Sequence, residues 1–136
     1  GLIVSQQTFN TGFSLIIYTG ILLTILDMVL DPIAVDEGRW SWMKPGSYYG
    51  VPSLNFLGWF GTVVIILSIF FNLVVPLNNA KDVSFLIQYS PSVLFAILPA
   101  IAARPCYERG LKIPGHIGLL FSFLLMVTMV LKYMSL

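Results

Sequence analysis

Long apolar runs separated by short polar clusters make up most of the chain. Four of the runs are close to the length of about 20 residues with which an α-helix crosses about 30 Å of hydrocarbon. They occupy residues 9–30, 54–75, 83–103 and 114–134. The pattern predicts an all-α, polytopic transmembrane helix bundle with about four spanning helices in one domain, residues 1–136.

The third run differs from the others because it contains Gln88, Pro91 and Pro99. Proline in a membrane helix is tolerated where neighbouring groups satisfy the freed backbone. We therefore expect this helix to be kinked and packed inside the bundle. Gly58 and Gly61 on the second run predict a close approach to another helix, since small residues allow it.

Polar turn clusters separate the later helices, with "PLNNAKD" at 76–82 and "RPCYERGLKIP" at 104–114. With four crossings, the first and third connections lie on the same side of the membrane. Most of the seven Lys and Arg residues belong to these two connections, which favours a cytoplasmic location for them. The residues concerned are Arg39, Lys44, Arg104, Arg109 and Lys112.

Composition supports a membrane protein, because 57% of residues are hydrophobic and 10% are charged, against about 25% in soluble domains. The net charge of +1 gives no basic surface for nucleic acid. Cys106 is the only cysteine, which excludes an internal disulfide and a multi-cysteine metal site. His116 is the only histidine, so we predict no metal site.

Acidic residues occur where charge is most costly, in "LDMVLDPIAVDEGRWSW", Leu26 to Trp42. Asp27 falls in the predicted last turn of the first helix, where the free carbonyl groups disfavour an anion. At membrane depth its charge costs about 2.5 to 3.5 kcal/mol, which favours a neutral, protonated carboxyl. The alternative is an Asp27 that reaches water or is hydrogen bonded to a neighbouring helix.

Asp31 has two compatible interpretations. If the helix continues, Asp27 and Asp31 share one face because they are four residues apart. Alternatively, Asp31 caps a short interfacial helix, "PIAVDE", that begins at Pro32 and is closed by Gly38. Beyond it, we expect Asp36 and Glu37 to pair with Arg39 in a solvated cluster.

Aromatic side chains are dense in and after the long first connection, Asp31 to Ser53. They are Trp40, Trp42, Tyr48, Tyr49 and Trp59. They form either a belt at the headgroup level or the walls of a pocket beside the acids. Asn55, at the start of the second helix, serves either to join helices or to form part of a site.

Two adjacent motifs, "LDMVLDPIAVDEGRWSW" and "YYGVPSLNFLGWF", resemble the carotenoid biosynthesis membrane proteins. This family includes carotenoid 1′,2′-hydratases of bacteria and bisanhydrobacterioruberin hydratase of haloarchaea. The resemblance implies an enzyme of a bacterial or archaeal cytoplasmic membrane that adds water to the terminal double bond of an acyclic carotenoid. Members are usually about twice as long, which implies a C-terminal half or a shortened relative.

Hydration of an alkene needs a positioned acid, stabilisation of a tertiary carbocation and capture by water. Our hypothesis is that Asp27 and Asp31 divide the acid and water-orienting roles, in an order that the sequence leaves open. The aromatic residues and Asn55 would bind the end group, and the polyene would lie between helices in the bilayer. Adding water requires no cofactor.

Two other interpretations remain open at this stage. One is a non-catalytic subunit that binds carotenoid or stabilises a membrane complex, together with a partner subunit or a missing N-terminal half. The other is an end-group cyclase, which shares alkene protonation but adds no oxygen.

Overall fold

The computed structural model describes residues 2–73 and 85–134, and these residues form four helices and no strand. The helices are α1 (Leu2–Asp36), α2 (Ser53–Leu73), α3 (Phe85–Glu108) and α4 (Lys112–Met134). The predicted all-α bundle is confirmed. The predicted turn at 76–82 and the last residues of the second run lie outside the described residues.

Three segments are long and apolar enough to span a bilayer, in agreement with a membrane protein. They are Gly12–Asp36, Ser53–Phe71 and Lys112–Leu131. The described part of α3 is not among them, so a crossing by the third run stays a prediction.

α1 is one continuous helix, so the prediction of a separate interfacial helix after it is wrong. Residues 32–36 are helical, but they form the last turns of α1, with Pro32 inside the helix. Proline is costly there because it leaves the carbonyl four residues earlier, that of Met28, without a helical donor. The phenol of Tyr48 donates to this carbonyl at 3.0 Å, which replaces the missing hydrogen bond.

The end of α1 is defined by Gly38, as predicted. Gly38 has a φ of +69°, a backbone conformation that glycine adopts without strain. Its N–H donates to Val35 O at 3.0 Å, and that of Arg39 donates to Ala34 O at 2.9 Å. This pattern is a Schellman cap, and it places Asp27 well inside the helix and away from its free carbonyl groups.

α1 is the central helix, because it alone contacts the other three described helices. α3 and α4 pack against each other and against α1, whereas α2 packs on α1 only. The expectation that α3 lies inside the bundle is therefore wrong, and its Ile97, Leu98 and Ile101 are exposed. The core joins α1 to the α3–α4 pair through a buried cluster of Val29, Ile33, Ala102, Cys106 and Leu111.

The first and third connections lie on the same side of the bundle. Arg109, after α3, binds Asp36 at 2.8 Å and Glu37 at 2.7 Å. Glu37 also pairs with Arg39, as predicted. These ion pairs fasten the end of α1 to the turn between α3 and α4.

Close helix packing occurs at Gly20 and Gly118, and not at Gly58 or Gly61. A Cβ at either of the latter two would meet nothing within 4 Å, so the predicted packing role is wrong. A Cβ at Gly20 would lie 2.9 Å from the ring of Phe60 on α2. At Gly118 it would lie 2.6 Å from the backbone oxygen of Pro99, where α4 meets α3.

Gly118→Ala should destabilise the protein by about 1 to 3 kcal/mol, because the added methyl group forces α3 and α4 apart. The measurement is unfolding in detergent, followed by far-ultraviolet circular dichroism. Gly61→Ala is the matched control. Because alanine has a higher helix propensity than glycine, this variant should be as stable as the natural protein or slightly more stable. Equal stability of the two variants would contradict the close packing at Gly118.

Candidate active site

Two carboxyl groups on α1 meet one amide on α2. Asp27 and Asp31 are one helical turn apart, and we call them the acid pair. Nδ2 of Asn55 donates to Oδ2 of Asp27 at 3.1 Å and to Oδ2 of Asp31 at 2.5 Å. Asp31 is only 4% exposed and Asp27 is partly buried. An amide nitrogen carries two hydrogens, so Asn55 can serve both acids at once.

The position of Asn55 follows from the loop that connects α1 to α2, residues 37–52, which we call the first loop. A tight turn within it is closed by Gly46 N donating to Gly50 O at 2.9 Å and Val51 N donating to Tyr48 O at 2.8 Å. A Cβ on Gly46 would collide with the carbonyl group of Val51, so this turn requires glycine. Val51 is fully buried, which holds the start of α2 against the bundle.

Tyr48 and Tyr49 hold the first loop in place. Tyr48 binds the Met28 carbonyl and makes edge contacts with Tyr49, at 5.3 Å between ring centroids, and with Phe56, at 5.6 Å. Tyr49 packs on the buried cluster, and its Oη accepts a hydrogen bond from Ile113 N at 3.4 Å. Both side chains therefore lie between the loop and the helices, and neither lines the groove described next.

An open groove of about 600 Å³ lies beside Asn55. Its walls come from the first loop and from one face of α2. The lining residues are Trp42, Pro52, Leu54, Asn55, Gly58, Trp59 and Thr62. Asn55 belongs both to this groove and to the contact with the acid pair. Asp27 and Asp31 do not line the groove themselves, so Asn55 is the residue that connects them to this largely apolar surface.

The predicted aromatic residues thus have different positions. Trp42 and Trp59 line the groove, and Trp59 remains 50% exposed. The Nε1 of Trp42 is enclosed and has no hydrogen-bond acceptor among the described residues. Trp40 is 46% exposed and is not part of the groove lining.

Gly58 and Thr62 are groove residues that the sequence analysis did not assign to a site. The spacing in the sequence could have identified them. Asn55, Gly58 and Thr62 recur at intervals of three and four residues, so they share one face of a helix. What the sequence did not indicate is that the first loop folds back to place Trp42 beside this face.

No group of three or more His, Cys, Asp or Glu that could hold a metal ion occurs in the described part of the chain. His116 instead makes an edge contact with the ring of Tyr107, at 5.4 Å between centroids.

Fold and site together define a helical membrane protein in which one amide, that of Asn55, joins two carboxyl groups to an apolar groove. The chain belongs to the family of carotenoid biosynthesis proteins, whose family model matches residues 2–125. Comparison with curated proteins and with solved structures found no match. The resemblance stated above is thus confirmed for the family, and the protein has a role in carotenoid biosynthesis.

Burial raises the pKa of Tyr48 to about 12, with further contributions from Tyr49 and Cys106. The folded protein therefore favours the neutral phenol that donates to Met28. The contribution of the neutral Tyr48 phenol to the free energy of unfolding is complete below the ordinary tyrosine pKa of 10.0. It is lost as the pH rises towards 12.

Tyr48→Phe should remove an ionisation near pH 12 from an ultraviolet titration of the folded protein. It should also lower the free energy of unfolding at neutral pH by about 0.5 to 1.5 kcal/mol, since one hydrogen bond is lost. Tyr107→Phe, at an exposed position near the end of α3, is the control and should retain the ionisation near pH 12. A titration unchanged by Tyr48→Phe would contradict the assignment.

Proposed function

We propose that this protein is a membrane hydratase that adds water to the terminal 1′,2′ double bond of an acyclic carotenoid end group. The observation that carries the proposal is the double hydrogen bond of Asn55 to the acid pair, because Asn55 also lines an apolar groove. Membership in the carotenoid biosynthesis family supports the substrate class.

In the proposed reaction, the acid pair alone supplies the proton that is donated and accepts the proton that is released. One carboxyl group gives its proton to the less substituted alkene carbon, which leaves a cation on the tertiary carbon. A water oxygen then bonds to that carbon, and the second carboxylate takes the proton that the water releases. Transfer of this proton between the two acids restores the starting state. The net change is the addition of one water without oxidation or reduction, so the reaction needs no redox partner.

The bonding of the acid pair to Asn55 suits a shared proton. Oδ2 of Asp27 and Oδ2 of Asp31 both accept from Nδ2 of Asn55, which brings the two carboxyl groups together. A single proton on the pair would remove the repulsion between two neighbouring carboxylates. Because Asn55 donates to both acids, it also fixes their orientation.

The indole rings of the groove suit the cationic intermediate. Trp42 and Trp59 offer aromatic faces, which attract a cation through the negative potential of the ring. Tyr48 and Tyr49 would act indirectly, by holding the first loop against α1 and α4. A binding role for Trp40 rests on the sequence prediction alone.

In this proposal the enzyme resides in a bacterial or archaeal cytoplasmic membrane, and its carotenoid arrives from the bilayer. Residues 1–136 would act as one transmembrane domain. A partner membrane subunit would close the open side of the groove.

A non-catalytic carotenoid-binding subunit is the second candidate, and the openness of the groove favours it. The lining of the groove comes from α2 and the first loop only, which is less enclosure than most catalytic pockets have. This candidate predicts bound carotenoid without a gain of water. A cyclase would change the carotenoid without changing its mass.

Asp27→Asn and Asp31→Asn should each lower hydration by about 10² to 10⁴-fold, the usual contribution of general acid or base catalysis. The measurement is the mass of carotenoids extracted from cells that accumulate lycopene and express each variant. Asp36→Asn is the matched control, because Asp36 is an exposed acid on the same helix and pairs with Arg109. It should retain activity.

Growth in water labelled with oxygen-18 should place the label in the product alcohol. Unchanged carotenoid in cells with the natural sequence would contradict the proposed reaction. Full activity of both Asp→Asn variants would contradict the role of the acid pair. A product that lacks oxygen would indicate a cyclase.

Asn55→Leu should reduce hydration by at least about tenfold. The two carboxyl groups lose a shared donor, and each buried acceptor left without a partner costs about 1 to 3 kcal/mol. The pH profile of activity should also shift, because the amide stabilises the ionised member of the pair. Loss of stability with an unchanged pH profile would indicate that Asn55 only joins the helices.

A further inference from the structure

We propose that the carotenoid lies lengthwise along α2, with its reacting end at Asn55 and its chain passing Gly58 towards Thr62, and that Gly58 is a specificity-determining residue. This inference rests on the proposed function for the identity of the reacting end. The binding mode itself can be tested without hydration.

The groove has a direction along the helix. Its α2 residues share one face, and Leu54 to Thr62 extends about 12 Å at 1.5 Å per residue. Asn55 lies in the first turn of the spanning segment Ser53–Phe71, and Thr62 lies deeper in the same segment. The groove therefore runs from Asn55, near the end of the span, into the hydrocarbon region.

Gly58 lies between these two ends and contributes no side chain to the groove. A Cβ at this position would meet nothing within 4 Å, so the space above the backbone is part of the groove and is not filled by a neighbouring helix. A larger residue would project into the path between Asn55 and Thr62. The absence of a side chain thus leaves the path open.

The lining indicates an uncharged, apolar occupant. It contains no ionisable side chain, and its polar side-chain groups are the amide of Asn55, the hydroxyl of Thr62 and the indole N–H groups of Trp42 and Trp59. A volume of about 600 Å³ lies within the usual range of about 300 to 1,000 Å³ for small-molecule pockets. A carotenoid is about as long as a bilayer is thick, so only its end portion fits. The rest of the chain would remain among lipids.

Replacement of Gly58 by Ala, Leu and Phe gives a graded test, with the same three replacements at Gly61 as matched controls. Gly61 also has open space around its Cβ, but it does not line the groove. The proteins are purified from lycopene-accumulating cells, and bound carotenoid per protein is measured by absorbance. Circular dichroism checks that each variant remains helical.

Bound carotenoid should fall as the side chain at position 58 grows, by at least about tenfold for Gly58→Phe. The Gly61 series should bind as the natural sequence does. Where Gly58→Phe does not fold, Gly58→Ala and Gly58→Leu provide the comparison. The product formed from the remaining carotenoid is measured in parallel, because a blocked groove lowers binding and turnover together.

Equal binding across the Gly58 series would overturn the proposed path, whether or not hydration occurs. An equal decrease in both series would also overturn it, since the effect would not be specific to the groove. Absence of carotenoid from the natural protein would have the same meaning. Graded binding without any gain of water would support the path and reject the hydratase.

Discussion

The amide of Asn55 is the contact on which the arrangement of the candidate site depends. α2 packs on no described helix other than α1, and Asn55 supplies a polar link between the two. In an apolar environment such a hydrogen bond constrains the orientation of α2 as well as stabilising the contact, because unpaired polar groups are costly there. It fixes which face of α2 meets the acid pair, and so which residues remain to line the groove.

A second constraint is the proline inside α1. Pro32 leaves the Met28 carbonyl without its helical donor, and Tyr48 supplies a donor from the first loop. The hydrogen bond that the helix lacks thus becomes an attachment point for the loop. Because the same loop carries Trp42 and leads into Asn55, an irregularity in α1 helps to set the geometry of the groove on α2.

The sequence predicts local and periodic features well. Apolar runs locate the helices, and the spacing of Asp27 and Asp31 places them on one face once the helix continues. Asp-Pro is more typical of a helix start than of a helix interior, so the sequence did not show that Pro32 lies inside α1. The hydrogen bond that the distant Tyr48 donates to the Met28 carbonyl helps to accommodate this proline. The prolines of α3 likewise suggested an interior helix, although the central helix is α1. The contacts of Tyr49 and the place of Gly58 in the groove depend on how the first loop folds back. No periodicity in the sequence predicts this fold of the loop.

Because α2 packs only on α1 among the described helices, the groove on α2 is separate from the buried core of the bundle. The buried cluster that holds the bundle together lies between α1 and the α3–α4 pair, whereas the groove lies on α2 and the first loop. Substitutions in such separate regions usually have additive effects. Substitutions in the groove can therefore accumulate without destabilising the bundle, and directed evolution of this surface can begin from α2 alone.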